Sequence, residues 1–256
     1  RSKKTGKYDD STMLSDFYIH HDFEDYEIKL LMDSLVFSNH IPKKHRDDLI
    51  KKLGKLSTVY FKNSSKNIEV LNSVTTQNQE WFNNIDLINQ AINDCNKIHF
   101  TYNDYDIDKK LHPRREKTVN PYKIVAANNH YYLICNEEPY DNLSPHRIDK
   151  ITDLTILEKE HFAPNRALNI KEYLVSHMYM FTGEPTRIKM RVDRDAFGNV
   201  IDYFGDEFRI TQKDEEKVEI TLKSNEDDIF FWALQFGKCV EILEPQELRN
   251  RIRDTV

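Results

Sequence analysis

The chain has 256 residues, 39% of them hydrophobic and 31% charged, which is enough for one large or several small buried cores. Apolar residues never run for the roughly 18 positions that a membrane-spanning helix needs, and no signal peptide is recognisable, so no membrane partner is expected. Three widely spaced cysteines favour a cytoplasmic location without a disulfide framework or zinc cluster. The net charge of −6 does not favour a surface that holds duplex DNA along its whole length.

The first part of the chain predicts an arm followed by helices. Residues 1–20 are polar and basic, and we interpret them as an arm or the remnant of another module. Residues 21–95 predict a helical linker and dimerisation segment. One apolar stripe of helical period begins near Phe23 and a second follows Pro42, which together predict a helical hairpin. A third helix is predicted over 76–93, with a buried stripe of Trp81, Ile85, Ile88 and Ile92.

At Ile98 the apolar period changes from helical to alternating. Ile98, Phe100 and Tyr102 point to one face, while His99 and Thr101 point to the other. Short strand-like runs separated by turn residues then follow at 117–119, 122–126, 130–135, 146–148 and 154–157. So many short strands in so few residues predict a five-stranded barrel over 96–158, because closure removes exposed sheet edges.

The last part of the chain predicts a second domain after a connector. The pattern of residues 159–184 predicts a connector with one short helix. Residues 185–256 then show the order βαββαβ with a final helix, which is typical of a ferredoxin-like domain. Asn225 is predicted to cap the second of these helices, and Gly237 to end it in a left-handed conformation. The predicted fold class is α+β.

The motifs of common enzymes and cofactor sites are missing. Six glycines are scattered singly, so no phosphate-cradling loop is formed. Three alternate aspartates, Asp104, Asp106 and Asp108, resemble the start of a calcium loop, but Lys109 and Arg115 occupy the positions that need glycine and glutamate. No Ser/His/Asp or Cys/His arrangement is evident. We therefore predict that the chain is not an enzyme and holds no metal or cofactor.

Cations and aromatic residues are concentrated in the predicted barrel. Between Asp108 and Lys117 there are five basic and two acidic residues. The candidate ligand-binding residues are Arg115, Lys117, Tyr131, Tyr132, His146, Arg147 and Lys150. Flat rings beside fixed cations suit a stacked base with a phosphate nearby. The alternative is that one tyrosine belongs to the core and the cations are rim charges.

Several segments resemble the WYL domain of bacterial transcriptional regulators. They are Asn120-Pro121-Tyr122, the strand 130–135 (HYYLIC) and the segment 146–151 (HRIDKI). In that family a Trp/Tyr-Tyr-Leu strand precedes an Arg-hydrophobic-Asp-Arg-Ile strand; here Tyr131 replaces the tryptophan and Lys150 the second arginine. Residues 23–42 resemble the helical segment before WYL domains. Residues 231–237 (FWALQFG) and 240–245 (VEILEP) resemble the C-terminal extension named WCX.

The resemblance implies an Sm-like barrel, a ferredoxin-like WCX domain and a homodimer. Such regulators normally begin with a winged helix-turn-helix that contacts DNA. We expect this module to be lacking here, so that the chain is either a fragment of a regulator or a stand-alone sensor. The resulting hypothesis is the ligand-sensing and dimerisation region of a regulator that binds a nucleotide or single-stranded nucleic acid. Arg147 and Lys150 would hold phosphate, with Arg115 and Lys117 adding positive field. The alternative is a protein-interaction scaffold without a small ligand.

The same hypothesis assigns stacking or orienting roles to Tyr131 and His146. Strand alternation, however, sends His146 and Arg147 to opposite faces of their strand. The roles assigned to His146 and Arg147 at one ligand therefore conflict, and one of the two assignments is open to correction.

Overall fold

A computed structural model describes residues 22–38, 41–56, 78, 80–163 and 168–255, and shows a mixed α+β structure with two antiparallel sheets. The helices are α1 (Asp25–Phe37), α2 (Lys43–Gly54), α3 (Trp81–Asn93), α4 (Ile170–Ser176), α5 (Phe197–Phe204), α6 (Glu226–Phe236) and α7 (Gln246–Arg253). The strands are β1 (Asn96–Tyr105), β2 (Leu111–Ala127), β3 (His130–Asn136), β4 (Ser144–Arg147), β5 (Ile151–His161), β6 (Thr186–Asp193), β7 (Arg209–Lys213), β8 (Lys217–Ser224) and β9 (Val240–Glu244). The predicted arm at 1–20 lies outside the described residues.

The backbone divides into two units, residues 1–76 and 77–256. In the first unit, α1 and α2 contact each other, as the predicted hairpin requires. Ile28 is completely buried, but the rest of the predicted apolar stripe is not: Tyr26 is 72% exposed, Leu30 67% and Phe37 58%. Most of this apolar face is therefore not covered by the described residues of its own unit.

The first sheet of the second unit has the strand order β4-β3-β2-β1-β5, and α3 packs against it. Its core contains Ile98, Phe100 and Leu133 together with Ile88 of α3, all without exposed surface. The predicted strands 117–119 and 122–126 are parts of one strand, β2. This strand pairs with β1 as far as Val119 and with β3 from Asn120 onward.

The described strands do not close into the predicted barrel, since β4 and β5 remain at opposite edges of the sheet. A 3-10 turn, Ile148–Lys150, joins these two strands directly. Side-chain amides bind the carbonyl groups there: Asn78 donates to the carbonyls of Asp149 and Ile151, and Asn84 donates to Ile151. These buried carbonyl groups already accept hydrogen bonds from side-chain amides. The sheet therefore does not have to close into a barrel to give them hydrogen-bond partners.

The second sheet has the strand order β7-β8-β6-β9, with helices placed as predicted from the sequence. Ile188, Met190 and Val192 alternate along β6 on its buried face, and Trp232 of α6 is completely buried against the same core. Two predicted helix ends are confirmed. The Asn225 side chain accepts hydrogen bonds from the first turn of α6, and Gly237 ends this helix with φ +51°.

A buried carboxyl group holds the connector before β6 in place. Asp228 lies in the first turn of α6 and is completely buried. Its Oδ1 accepts a hydrogen bond from the backbone N–H of Tyr179 at 3.1 Å, and the backbone N–H groups of Met178 and Phe181 also face the carboxyl. Burial raises the pKa of Asp228 to about 7 despite these donors.

The raised pKa of Asp228 predicts a specific pH dependence of stability. From about pH 4 to about pH 7 the unfolded chain releases this proton while the folded chain retains it, so stability falls as the pH rises through the folded pKa. We expect Asp228→Asn, which keeps an acceptor but cannot ionise, to be more stable than the natural chain at pH 8 and to lose that advantage at pH 4. Urea unfolding at both pH values measures the difference.

The neighbouring carboxylate provides the control for that experiment. Asp227 lies one residue earlier, where it is less buried and pairs with Arg251. Asp227→Asn removes the same formal charge, and we do not expect it to reproduce the gain at high pH. A gain of Asp228→Asn that is equal at pH 4 and pH 8 would contradict the titration of Asp228.

Candidate ligand-binding site

The candidate site begins on one face of the β1–β2 pair. The register places Phe100 opposite Lys117 and Tyr102 opposite Arg115. Because alternate residues of a strand share a face, these four residues lie on the same side of the sheet. Phe100 is completely buried while Arg115 is exposed, so the face runs from the core to an open rim. His146 of β4 packs there, with its ring centroid 5.0 Å from that of Tyr102 and 6.1 Å from that of Phe100.

This face opens into a cavity of about 340 Å³, which we name the basic cavity. Its lining comprises Tyr102, Arg114, Arg115, Lys117, Glu137, Tyr140, Asn142, Ser144, His146 and Thr182. Three of these residues are cations, and one is a carboxylate. Thr182 comes from the connector that leads into β6, so a ligand here would contact both the first sheet and the segment entering the second.

The three cations of the basic cavity differ in how far they are neutralised. Lys117 Nζ lies 2.8 Å from Glu137 Oε2, and Arg114 Nη1 lies 2.7 Å from Asp104 Oδ2. Arg115 forms no ion pair with any residue that the structure describes, and it is exposed. Its guanidinium is therefore the lining cation that is free to bind an anion with two parallel hydrogen bonds.

His146 contributes a neutral ring rather than a charge. Burial, with help from the Lys117 charge, lowers the pKa of His146 to about 4. Its Nδ1 lies 3.0 Å from the carbonyl oxygen of Pro145, which can only accept, so Nδ1 carries the proton. Nε2 is then an acceptor, and it has no hydrogen-bond partner among the described residues. The charge of the cavity lining therefore does not depend on this histidine near neutral pH.

Arg147 lies outside the lining of the basic cavity and binds a carboxylate of its own chain. Its Nε and Nη2 donate to Asp149 Oδ1 and Oδ2 at 3.0 and 2.7 Å. The Asp149 side chain is only 6% exposed and the Arg147 side chain 27%. Burial alone would lower the pKa of Arg147, but the Asp149 bonds outweigh it and the pKa is raised. Tyr132 is the cross-strand partner of Arg147, and burial raises the pKa of Tyr132.

The other two predicted residues also have partners elsewhere. Lys150 Nζ lies 2.6 Å from Asp104 Oδ1, and this bond is the main reason that the pKa of Asp104 is lowered. Tyr131 is half-buried and stacks near Trp81 of α3, with ring centroids 5.8 Å apart. This tyrosine lies on the α3 side of the sheet.

The structure thus brings Arg115, Lys117 and His146 to one cavity and places the other four predicted residues outside its lining. Sequence reasoning missed Tyr102 as a lining residue, although its alternation with Phe100 on β1 was a usable signal. It also missed Tyr140, Asn142, Ser144 and Thr182. No periodic pattern marks these four residues, because they reach the cavity through loops, an edge strand and the connector.

Comparison with known proteins defines the class of this chain. The family model of the WYL domain matches residues 83–156, and that of the WCX domain matches residues 184–256. The chain therefore contains a WYL domain followed by a WCX domain, which confirms the resemblance to WYL-domain transcriptional regulators. The basic cavity lies mostly within the WYL match and receives Thr182 from just before the WCX match.

Individual relatives are distant. The chain is 22% identical over 170 residues to the "Uncharacterized HTH-type transcriptional regulator YobV" of Bacillus subtilis (strain 168), a match that covers 66% of this chain and 52% of that protein. The chain thus spans about half the length of this curated relative.

Two solved structures are similar at 16% identity, each over 90% of this chain. One is "Proteasome accessory factor B/C (PafBC) of Arthrobacter aurescens", with a TM-score of 0.34 and 34% of that chain covered. The other is "Crystal structure of a CRISPR Cas-related protein", with a TM-score of 0.48 and 69% covered.

Two further searches concern only the residues that the structure describes. Among them, no group of three or more His, Cys, Asp or Glu side chains is arranged to hold a metal ion. None of the helices in this part of the chain has the length and apolar character needed to span a membrane.

Proposed function

We propose that the chain is the ligand-sensing and dimerisation region of a cytoplasmic WYL-type transcriptional regulator and not an enzyme. A nucleotide or single-stranded nucleic acid binds in the basic cavity and controls DNA binding by a winged-helix module of the same regulator. One observation carries the proposal: a cavity of about 340 Å³ on the WYL sheet is lined by three cations, of which Arg115 has no ion pair among the described residues.

The cavity chemistry supports an anionic ligand that also carries an aromatic group. Arg115 binds a phosphate, and Lys117 adds positive field while remaining paired with Glu137. The rings of Tyr102, Tyr140 and His146 supply flat surfaces for a base. Each of these residues lies on a strand or on the loop before β4.

The remaining predicted residues keep a place in the proposal with different roles. The guanidinium of Arg147 is already hydrogen-bonded to the carboxylate of Asp149. In the proposal this ion pair fixes the end of β4 and the neighbouring ring of Tyr132. Lys150 bonds to Asp104, which also binds Arg114 of the cavity lining. Tyr131 fixes α3 on the sheet through Trp81. These residues position the cavity and need not contact the ligand.

The proposal includes a route from the ligand to the rest of the regulator. Sensing requires a ligand that binds two arrangements of the protein with different affinity. The basic cavity is lined by the WYL sheet and by Thr182, which lies four residues before β6. A ligand that contacts both therefore favours one position of the connector over others.

The proposal also covers the finer fold and the homodimer. Two observations support a ferredoxin-like WCX domain: the element order βαββαβ and the strand order β7-β8-β6-β9. The change of partner along β2 supports an Sm-like arrangement of the WYL strands. The exposed apolar face of α1, with Tyr26, Leu30 and Phe37, supports a homodimer formed through the helical segment.

Direct titration tests the proposed function. Fluorescence anisotropy with labelled cyclic nucleotides, mononucleotides and thymidine oligonucleotides should show saturable binding that weakens as salt increases, because bound phosphates release counterions. Binding that is weak, equal for all probes and insensitive to salt would contradict the proposal. That result would favour the alternative, a protein-interaction scaffold without a small ligand.

A further inference from the structure

A second cavity, of about 460 Å³, is lined by α4, the loop before β4 and the connector, and we name it the acidic cavity. Three of its lining residues are carboxylates: Asp141 from the loop, Glu172 from α4 and Glu184 from the connector. Neither lysine nor arginine occurs among the described residues that line it. The charge of this lining is therefore opposite to that of the basic cavity, and it favours a cationic ligand.

The carboxylates of the acidic cavity are largely unpaired. Asp141 and Glu184 form no ion pair with any residue in the described part of the chain. Glu172 Oε1 lies 3.3 Å from Lys223 Nζ, but both of these side chains are 61% exposed. An ion pair so exposed to water contributes little stability, so another cation can replace Lys223. All three carboxylates are thus available to a ligand.

The arrangement of the lining favours an elongated organic cation over a metal ion. Within the described ranges, no three His, Cys, Asp or Glu side chains are placed to hold a metal ion, so the three carboxylates do not converge on one point. Leu143, Leu168 and Pro185 also line the cavity. An aliphatic chain with charged ends can contact such apolar side chains and still reach separate carboxylates.

Buried contacts hold the helix side and the connector side of the acidic cavity together. His177, at the end of α4, is buried, and its Nε2 lies 2.8 Å from the carbonyl oxygen of Gly183 in the connector. Gly183 has φ +141°, and a Cβ atom there would lie 2.9 Å from Asn225 Nδ2 at the start of α6. A larger residue would not fit at this position. The two sides of the cavity are therefore fixed before a ligand binds, which favours binding.

One buried hydroxyl group in the lining lacks a hydrogen-bond partner. Tyr173 is only 8% exposed, its ring stacks on that of His177 with centroids 4.2 Å apart, and its Oη has no partner among the described residues. A buried polar group without a partner costs free energy. An N–H group of a ligand would supply the missing partner, because a tyrosine hydroxyl can accept a hydrogen bond.

We propose that the acidic cavity binds an aliphatic diamine. Its ammonium groups pair with the three carboxylates, its methylene groups contact the apolar side chains, and one N–H donates to the Tyr173 hydroxyl. The cavity is a neighbour of the basic cavity, since Asn142 lines both and Gly183 directly follows Thr182. The inference goes beyond the proposed function and does not depend on it, because the two cavities have opposite charges and different ligands.

Isothermal titration calorimetry of the complete chain tests the inference with four probes: putrescine, butylamine, butanediol and magnesium chloride. We expect putrescine to bind saturably and butylamine, which has one charge, to bind at least about tenfold more weakly. Butanediol has the same chain length without charge and should not bind. Absence of putrescine binding would overturn the inference. Binding of butanediol or Mg²⁺ as tight as that of putrescine would also overturn it.

A double variant tests whether the diamine binds in the acidic cavity. Asp141→Asn combined with Glu184→Gln removes two charges with little change of shape, and putrescine affinity should fall at least about tenfold. Glu215→Gln combined with Glu216→Gln removes two charges from exposed residues in the turn between β7 and β8, and should leave the affinity unchanged. Equal putrescine affinities of the two double variants would contradict the assignment.

A third variant is expected to improve binding, which damage to the fold would not do. Lys223→Gln releases Glu172 from its exposed ion pair, so putrescine should bind about two- to fivefold more tightly. Lys213→Gln makes the same change of charge at the far end of β7, beside Val218, and should have little effect. If Lys223→Gln binds putrescine no more tightly than the natural chain, Glu172 is not a ligand and the proposed three-carboxylate site is wrong.

Discussion

Replacing Arg115 with glutamate is expected to lower the affinity for labelled nucleotide or oligonucleotide by at least about 100-fold. A charge-assisted pair with phosphate contributes about 1.5–3 kcal/mol, and reversing the charge adds repulsion to that loss. Since 1.4 kcal/mol corresponds to a factor of ten in the dissociation constant, the two effects together weaken binding by more than about 100-fold. Arg115 is singled out because the other two cations of the basic cavity already bind Glu137 and Asp104.

A graded series at this position separates charge from geometry. Arg115→Lys retains the charge but not the two parallel donors, so it should bind more weakly than the natural chain and more tightly than Arg115→Ala. Arg209→Glu changes the net charge by the same amount on the exposed edge strand β7, and we expect little effect from it. If Arg115→Glu binds normally while Arg147→Ala does not, the phosphate site lies at Arg147, as sequence reasoning assigned it.

Removing the carboxylate of Asp149 is expected to destabilise the WYL domain by about 2–4 kcal/mol. Asp149→Ala deletes both acceptors of the Arg147 guanidinium and leaves that charge partly buried without a partner. Urea unfolding followed through Trp81, which packs on this sheet through α3, measures the loss. The exposed Glu158 on β5 provides the control, since Glu158→Ala should change stability by less than about 0.5 kcal/mol.

A double variant shows whether the cost of Asp149→Ala comes from the unpaired charge. Arg147→Met combined with Asp149→Leu removes both members of the pair and leaves no buried charge. We expect the double variant to be more stable than Asp149→Ala alone, because replacing a buried pair with apolar groups is often close to neutral. A double variant at least as unstable as the single one would show that the two side chains act through other contacts.

The candidate site was partly predictable from sequence. Alternation along β1 placed Phe100 and Tyr102 on one face, since the side-chain period of a strand is fixed by its backbone. That Arg115 and Lys117 lie opposite these residues on the same face was decided only by the register of β2 in the structure. His146 and Arg147 point to opposite faces of β4, as expected. The ring of His146 packs near Phe100, whereas Arg147 lies opposite Tyr132 of the neighbouring strand β3. Which of the cations remained free for a ligand was not predictable from that pattern.

The sequence by itself determined the elements and their faces: the switch from helical to alternating period at Ile98, the Asn225 cap and the Gly237 end of α6, and the order βαββαβ. These features depend on interactions between residues a few positions apart, and the local pattern records them. Only the tertiary structure decided which charges neutralise each other and what lines the cavity. Lys150 meets Asp104 across 46 positions, and Thr182 reaches the basic cavity from the connector. Contacts over such separations depend on how the elements pack, and no local period encodes them.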